Sequence, residues 1–143
     1  MVPQDNAHRA TLGSENEPNG ALFVLFIPSN DKDGDPLPNG QDQQLWATAA
    51  GDMLTRIFGG ATMMPPAKGK WLNEETNKII SEEVVLVHSY ARGKDAADDK
   101  KIATLATFLH RMGKETKQGE VAVVIGDVFH RIRKFNLAER GRK

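Results

Sequence analysis

Six apolar residues in a row, Leu22-Phe23-Val24-Leu25-Phe26-Ile27, lie between Asn19-Gly20 on one side and Pro28-Ser29-Asn30 on the other. Turn formers at both ends and a core of aromatic and β-branched side chains predict a strand. Successive side chains of a strand point to opposite faces. Leu22, Val24 and Phe26 therefore form one apolar face, and Phe23, Leu25 and Ile27 the other. Val84-Val85-Leu86-Val87 and Val121-Ala122-Val123-Val124 repeat the pattern. A sheet with one face in water alternates apolar and polar residues, and these three stretches do not. Leaving about four large side chains uncovered would forgo roughly 1.5–3 kcal/mol each, and soluble monomers rarely show such a patch. The second face needs a cover: a second copy, a different protein, or the chain's own tail. Two-fold homodimers dominate among oligomers, so a homodimer through the sheet face is the expectation. A fold with helices on both faces would produce the same pattern.

The remaining elements follow from capping and periodicity. After the loop Asn30 to Gln41, Asp42 suits an N-cap, and Leu45, Trp46, Ala49, Met53, Leu54, Ile57 and Phe58 recur at helical spacing until Gly59-Gly60. Ala61-Thr62-Met63-Met64 runs into Pro65-Pro66 and reads as an edge strand, resumed at Lys70-Trp71-Leu72, because proline has no donor for a ladder. Met63, Met64 and Trp71 are expected to fill gaps in the core. Asn73 to Asn77 is a turn and Lys78 to Tyr90 a long strand. Asp95 is expected to cap a second helix, with Ile102, Leu105, Ala106, Leu109 and Met112 as its stripe, Phe108 widening it and Gly113 closing it. Glu120 to Ile132 reads as one final strand. The order β-α-β-β-α-β predicts an α+β domain, a ferredoxin-like four-stranded antiparallel sheet with both helices on one face. It occupies residues 21–132, between a flexible arm (1–20) and a basic tail (133–143). The arm is polar, without periodic apolar residues. The tail carries so few apolar groups that its loss should leave folding nearly intact.

Composition narrows the class. The 143 residues suit one domain. Nineteen basic and nineteen acidic side chains give no net charge, which argues against a chain built wholly for nucleic acid or an anionic membrane. With no cysteine, disulfides, thiolate metal sites and a Cys nucleophile are excluded. No stretch approaches the roughly 20 apolar residues of a membrane span, and no export signal is visible, so a cytoplasmic protein is expected. No motif calls for a cofactor.

Three groups of residues could carry chemistry. His88 and His130 each lie near a strand end, in strands expected to flank the first one. With Ser89, Tyr90 and Glu82 or Glu83 they could share a cleft for acid–base work. The same residues serve equally as packed or interfacial groups with a hydrogen-bonded tip. His8, in the arm, and His110, beside Arg111, read as surface residues. In the tail, Arg131, Arg133, Lys134 and Arg140 with Phe135 interleaved could grip phosphates and stack a base, or simply solubilise the terminus. The aromatic strand motif of RNA-binding domains is missing; Gly126-Asp127-Val128-Phe129 only echoes it. Asp31, Asp33, Asp35 and Asp42 fall at positions one, three, five and twelve of a calcium-type loop. Pro36 stands where the sharp-turn glycine belongs, and the twelfth residue is Asp rather than Glu, so the loop reads as a solvated turn.

The sequence therefore reads as a small non-enzymatic association module. Two alternatives remain: a small enzyme or ligand-binding protein with a pocket near His88, Tyr90 and His130, between paired sheets, and a nucleic-acid binder using the tail.

Overall fold

The computed structural model describes residues 3–15 and 19–137. The elements are α1 (Pro3–Leu12), β1 (Ala21–Pro28), a turn of 3-10 helix (Pro38–Gly40), α2 (Gln43–Phe58), β2 (Thr62–Met63) and β3 (Ala67–Asn73). There follow β4 (Lys78–Ala91), α3 (Gly93–Ala96), α4 (Asp99–Glu115), β5 (Val121–Ile125) and β6 (Val128–Ile132). All the strands join one antiparallel sheet in the order β2-β4-β1-β5-β6, with β3 also paired to β4. The protein is thus α+β with a six-stranded sheet, not the four strands expected.

Both additional strands have local causes. Pro65-Pro66 splits the second strand, so that β2 pairs with the C-terminal part of β4 and β3 with its N-terminal part. Gly126, at φ 64°, forms a two-residue turn with Asp127 and folds the expected final strand into the β5–β6 hairpin.

The core resolves which face of each strand is inward. Phe23, Leu25, Ile27, Val85, Val87, Val121 and Val123 form one buried cluster with Trp46, Ala50, Leu54 and Phe58 of α2 and Leu105, Leu109 and Met112 of α4. The Phe23 and Phe58 rings meet at 4.6 Å, and Phe108 meets Trp46 edge-on at 5.8 Å. The Trp46 indole N–H donates to Gln41 Oε1 at 2.8 Å. Leu45 lies outside this stripe, exposed on α2.

Asp42 caps α2, accepting the Gln44 N–H at 2.7 Å, and Gly59 ends the helix at φ 100°. The expected cap on the second helix moves. Asp98, not Asp95, accepts the N–H groups of Lys100 and Lys101 at the start of α4. Asp95 is instead buried, holding the Lys101 ammonium at 2.6 Å with Arg92 at 3.7 Å. The hydrogen bond from Lys101 draws its carboxyl below the ordinary range.

Gly113 does not close α4, which runs on to Glu115. Its missing side chain makes room for Phe135, whose ring occupies the place a Cβ would take. Phe135 also packs edge-on against His110 at 6.3 Å, and His110 Nδ1 accepts the Leu137 N–H at 3.2 Å. His110 is thus an anchor for the segment after β6. That segment lies along α4 as far as Leu137, so within the described residues it does not cover the sheet's other face. The stretch expected to be a flexible arm contains α1, exposed from His8 to its end.

Candidate functional site

The alternate residues of β1 and β4 form the face turned away from the helices. Cross-strand register aligns His88 with Val24 and Thr62, Tyr90 with Leu22, and Leu86 with Phe26. Val24 continues to Val124, and Val124 to Phe129. Phe129 meets Phe26 edge-on at 6.5 Å. The result is an apolar platform of Leu22, Val24, Phe26, Leu86 and Val124. Leu22 is 43 % exposed, Tyr90 52 % and Phe129 55 %. Tyr90 lies against Gly20, where a Cβ would overlap the phenol.

The expected site residues divide between the two faces. His88 and Tyr90 are two residues apart on the open face, about 7 Å along the strand. Glu82 shares that face but lies six residues from His88, roughly 20 Å at strand spacing. It pairs with Gly69 of β3, and its burial raises its carboxyl above the ordinary range. Ser89 points the other way, buried, its hydroxyl donating to the Gly60 carbonyl at 2.6 Å. Glu83 alternates with Glu82 and also faces the helix side. His130 pairs with Val123, whose side chain is in the core, so it too lies on the helix-side face. The β5–β6 turn is the reason: it moves His130 from a strand beside β1 to the sheet edge. The fold therefore brings together His88 and Tyr90, but neither Glu82 nor His130 with them.

The tail cations are partly engaged. Glu120 Oε1 accepts from Arg131 at 2.9 Å and Arg133 at 3.0 Å. Lys134 is exposed, and Arg140 falls outside the described residues. In the acidic loop, Asp31 Oδ1 accepts the N–H groups of Asp33 and Asp35, both at 2.9 Å, while Asp42 caps α2. Among the described residues no three His, Asp or Glu side chains converge as a metal site. No helix among them is long and apolar enough to cross a membrane.

Met63, Met64 and Trp71, expected in the core, are 50 %, 41 % and 47 % exposed on the β2–β3 edge. The platform itself was announced by the double-faced strands. Phe129 was missed, because a hairpin partner to β5 was not foreseen; the Gly126-Asp127 pair carried that signal.

The open face can hold a flat, weakly polar ring. Aromatic and branched side chains offer stacking and apolar contact, and His88 and Tyr90 offer hydrogen bonds at one end. Glu82 offers a carboxyl with raised proton affinity at the other.

No protein-family model and no curated protein matches this chain. Solved structures do. A phage SAM lyase in complex with S-methyl-5'-thioadenosine superposes with a TM-score of 0.58 at 13% identity, covering 80% of this chain and 90% of the other. A phage SAM lyase in the apo state gives 0.54 at 15%, covering 83% and 94%. A Bacillus cereus protein related to NIF3 gives 0.47 at 12%, covering 80% of this chain and 27% of that one. The fold is therefore shared, nearly end to end, with an enzyme. This overturns the reading of the chain as a non-enzymatic association module, and the small-enzyme alternative fits the findings better.

Proposed function

We propose that this protein is a small lyase acting on a sulfonium nucleoside of the SAM type, with the substrate held on the open face of the sheet. The observation that carries the reading is the extent of the fold match: four fifths of this chain on nine tenths of a SAM lyase holding an adenosine thioether. A shared fold alone admits many chemistries. The open face adds what such a ligand needs, an apolar and aromatic platform for the purine and polar groups at its border.

The chemistry asks little of the protein beyond placement and a base. A sulfonium leaves as a neutral thioether: the C–S bond breaks with both electrons staying on sulfur, and the remaining fragment loses a proton from the adjacent carbon, the C–H electron pair forming a C=C double bond. Glu82 suits that proton, because burial raises its carboxyl above the ordinary range and so makes its carboxylate a stronger base. Tyr90 and His88 position the nucleoside.

The roughly 20 Å between Glu82 and His88 exceeds what one ligand bridges along a flat strand. We read the fold as a ferredoxin-like sheet, extended by β6, that pairs its open face with a second copy. A homodimer covers Leu22, Phe26 and Phe129 and turns the platform into an enclosed pocket. It also carries Glu82 of one copy to the His88–Tyr90 end of the other.

Incubation with SAM, followed by chromatography for S-methyl-5'-thioadenosine, tests the reading against a protein-free control for spontaneous breakdown. Thioether should appear in proportion to protein. Tyr90→Ala and Glu82→Gln should each lower the rate about 100-fold or more, the range for lost positioning or a lost base, with melting nearly unchanged. Mixing the two variants should recover part of the activity, since each supplies what the other lacks. No thioether above the control, together with no binding of S-methyl-5'-thioadenosine, would overturn the proposal.

A further inference from the structure

A second cleft lies on the opposite side of the molecule, at the C-terminal end of α4. It has a volume of about 320 Å³ and is lined by Lys32, Gly113, Lys114, Lys117, Gln118 and Phe135. None of the three lysines forms an ion pair among the described residues. Of the neighbouring acids, Asp31 is engaged with backbone N–H groups of its own loop and Glu115 with Arg111 at 3.4 Å; Asp33, next to Lys32, forms no ion pair among the described residues.

A helix C-terminus attracts cations through its dipole, which accounts for Lys114. The same dipole favours Lys117, the first residue past the C-cap Thr116, but it does not account for Lys32. The Lys32 N–H donates to the Lys117 carbonyl at 3.0 Å, so the loop after β1 is tied to the end of α4 and adds Lys32 to the lining of the same cleft. Gln118 fixes the tie from the other side, its Nε2 donating to the Asn30 carbonyl at 2.8 Å.

Lys117 is the more telling residue. The Gln118 N–H returns to the Gly113 carbonyl at 2.9 Å and the Lys117 N–H to Lys114 at 3.3 Å, the paired bonds that close a helix through one left-handed residue. That residue is ordinarily glycine, yet here it is Lys117 at φ 52°. The chain accepts a less favourable backbone position and keeps a third lysine in the lining of the cleft, beside two of like charge. The wall opposite is Phe135, seated on Gly113.

We propose that this cleft binds a small organic phosphate, its anionic group between Lys32, Lys114 and Lys117 and a flat ring against Phe135. The site is separate from the open face, and the proposal does not depend on the lyase reading.

Phenyl phosphate tests it, because it joins a ring to a phosphate and lacks any adenosine. With the full chain at low ionic strength, titration calorimetry should show saturable binding. Inorganic phosphate and phenol should each bind about tenfold more weakly, since each forfeits the ring contact or the charge-assisted bonds. Raising salt should weaken phenyl phosphate, as expected for exposed charges. Lys117→Gly removes the ammonium while relieving the backbone. It should melt no lower than the parent chain and bind phenyl phosphate about tenfold more weakly. Unchanged affinity in this folded variant, equal affinity for phenol, equal affinity for inorganic phosphate, or no saturation with phenyl phosphate would each overturn the proposal.

Discussion

The two faces of β1 differ by one residue in register and by almost everything in environment. Phe23, Leu25 and Ile27 have no exposed surface and lie in a core shared with two helices, whereas Leu22, Val24 and Phe26 look outward from equally apolar side chains. Hydrophobicity alone therefore does not distinguish inward from outward apolar residues in this sheet. The helices decide it. Trp46, Leu54 and Phe58 of α2 and Leu105, Leu109 and Met112 of α4 meet one face only. The other face meets neither of these helices. Such a face is worth keeping apolar only if something covers it.

The contrast should be sharpest in paired truncations. Leu25→Ala removes a fully buried side chain and should cost about 2–5 kcal/mol in denaturant unfolding. Leu22→Ala, three residues away on the outward face, should change monomer stability by about 0.5 kcal/mol or less. If Leu22→Ala costs as much as Leu25→Ala at concentrations where the protein is monomeric, the outward face is structural and the division fails.

Gly113→Ala probes the helix side at its margin. Its new methyl group would overlap the Phe135 ring, and overpacking of this kind costs about 1–3 kcal/mol. A neutral result in thermal unfolding would show that the segment after β6 moves away without loss. That outcome would support the expectation from sequence that the tail is dispensable.

The smallest effect separates the two carboxyls. Burial raises Glu82 above its ordinary value of 4.5. Its neutral form is favoured by folding, so its contribution is fully present below pH 4.5 and lost as pH rises through the raised value. Glu82→Gln should thus be slightly more stable than the parent chain at neutral pH, by about 0.5 kcal/mol or less, and no more stable in acid. Asp95, drawn below 3.8 by its hydrogen bond from Lys101, behaves oppositely. Its contribution is present above that value and disappears as pH falls through the lowered one. Urea midpoints measured across acid pH should show the two signs.

Much of the frame could be read from local chemistry. The β1 and β4 runs, the Asp42 cap and the Gly59 stop each follow from a residue type in the position it favours. The inward face could not be read, because Leu22, Val24 and Phe26 match Phe23, Leu25 and Ile27 in apolarity. Asp95 and Asp98 are equally good caps on paper; Lys101 claims the first, leaving the second at the helix start. The β5–β6 turn was visible in Gly126-Asp127, but Val128-Phe129 continued the apolar run and masked it. Of the site, His88 and Tyr90 were legible as neighbours on one face. Glu82 and His130 were not separable from them without the register. The basic cleft was not legible at all, since Lys32 and Lys117 meet only through a backbone hydrogen bond between distant segments.

Methyl NMR with S-methyl-5'-thioadenosine tests the division of the sheet most directly, because inward and outward methyl groups alternate along the same strands. Resonances of Leu22, Val24, Leu86 and Val124 should shift on titration, while those of Leu25, Val87 and Val123 stay nearly fixed. Shifts confined to the inward set, or none on either face as the ligand is raised to millimolar concentration, would contradict the account.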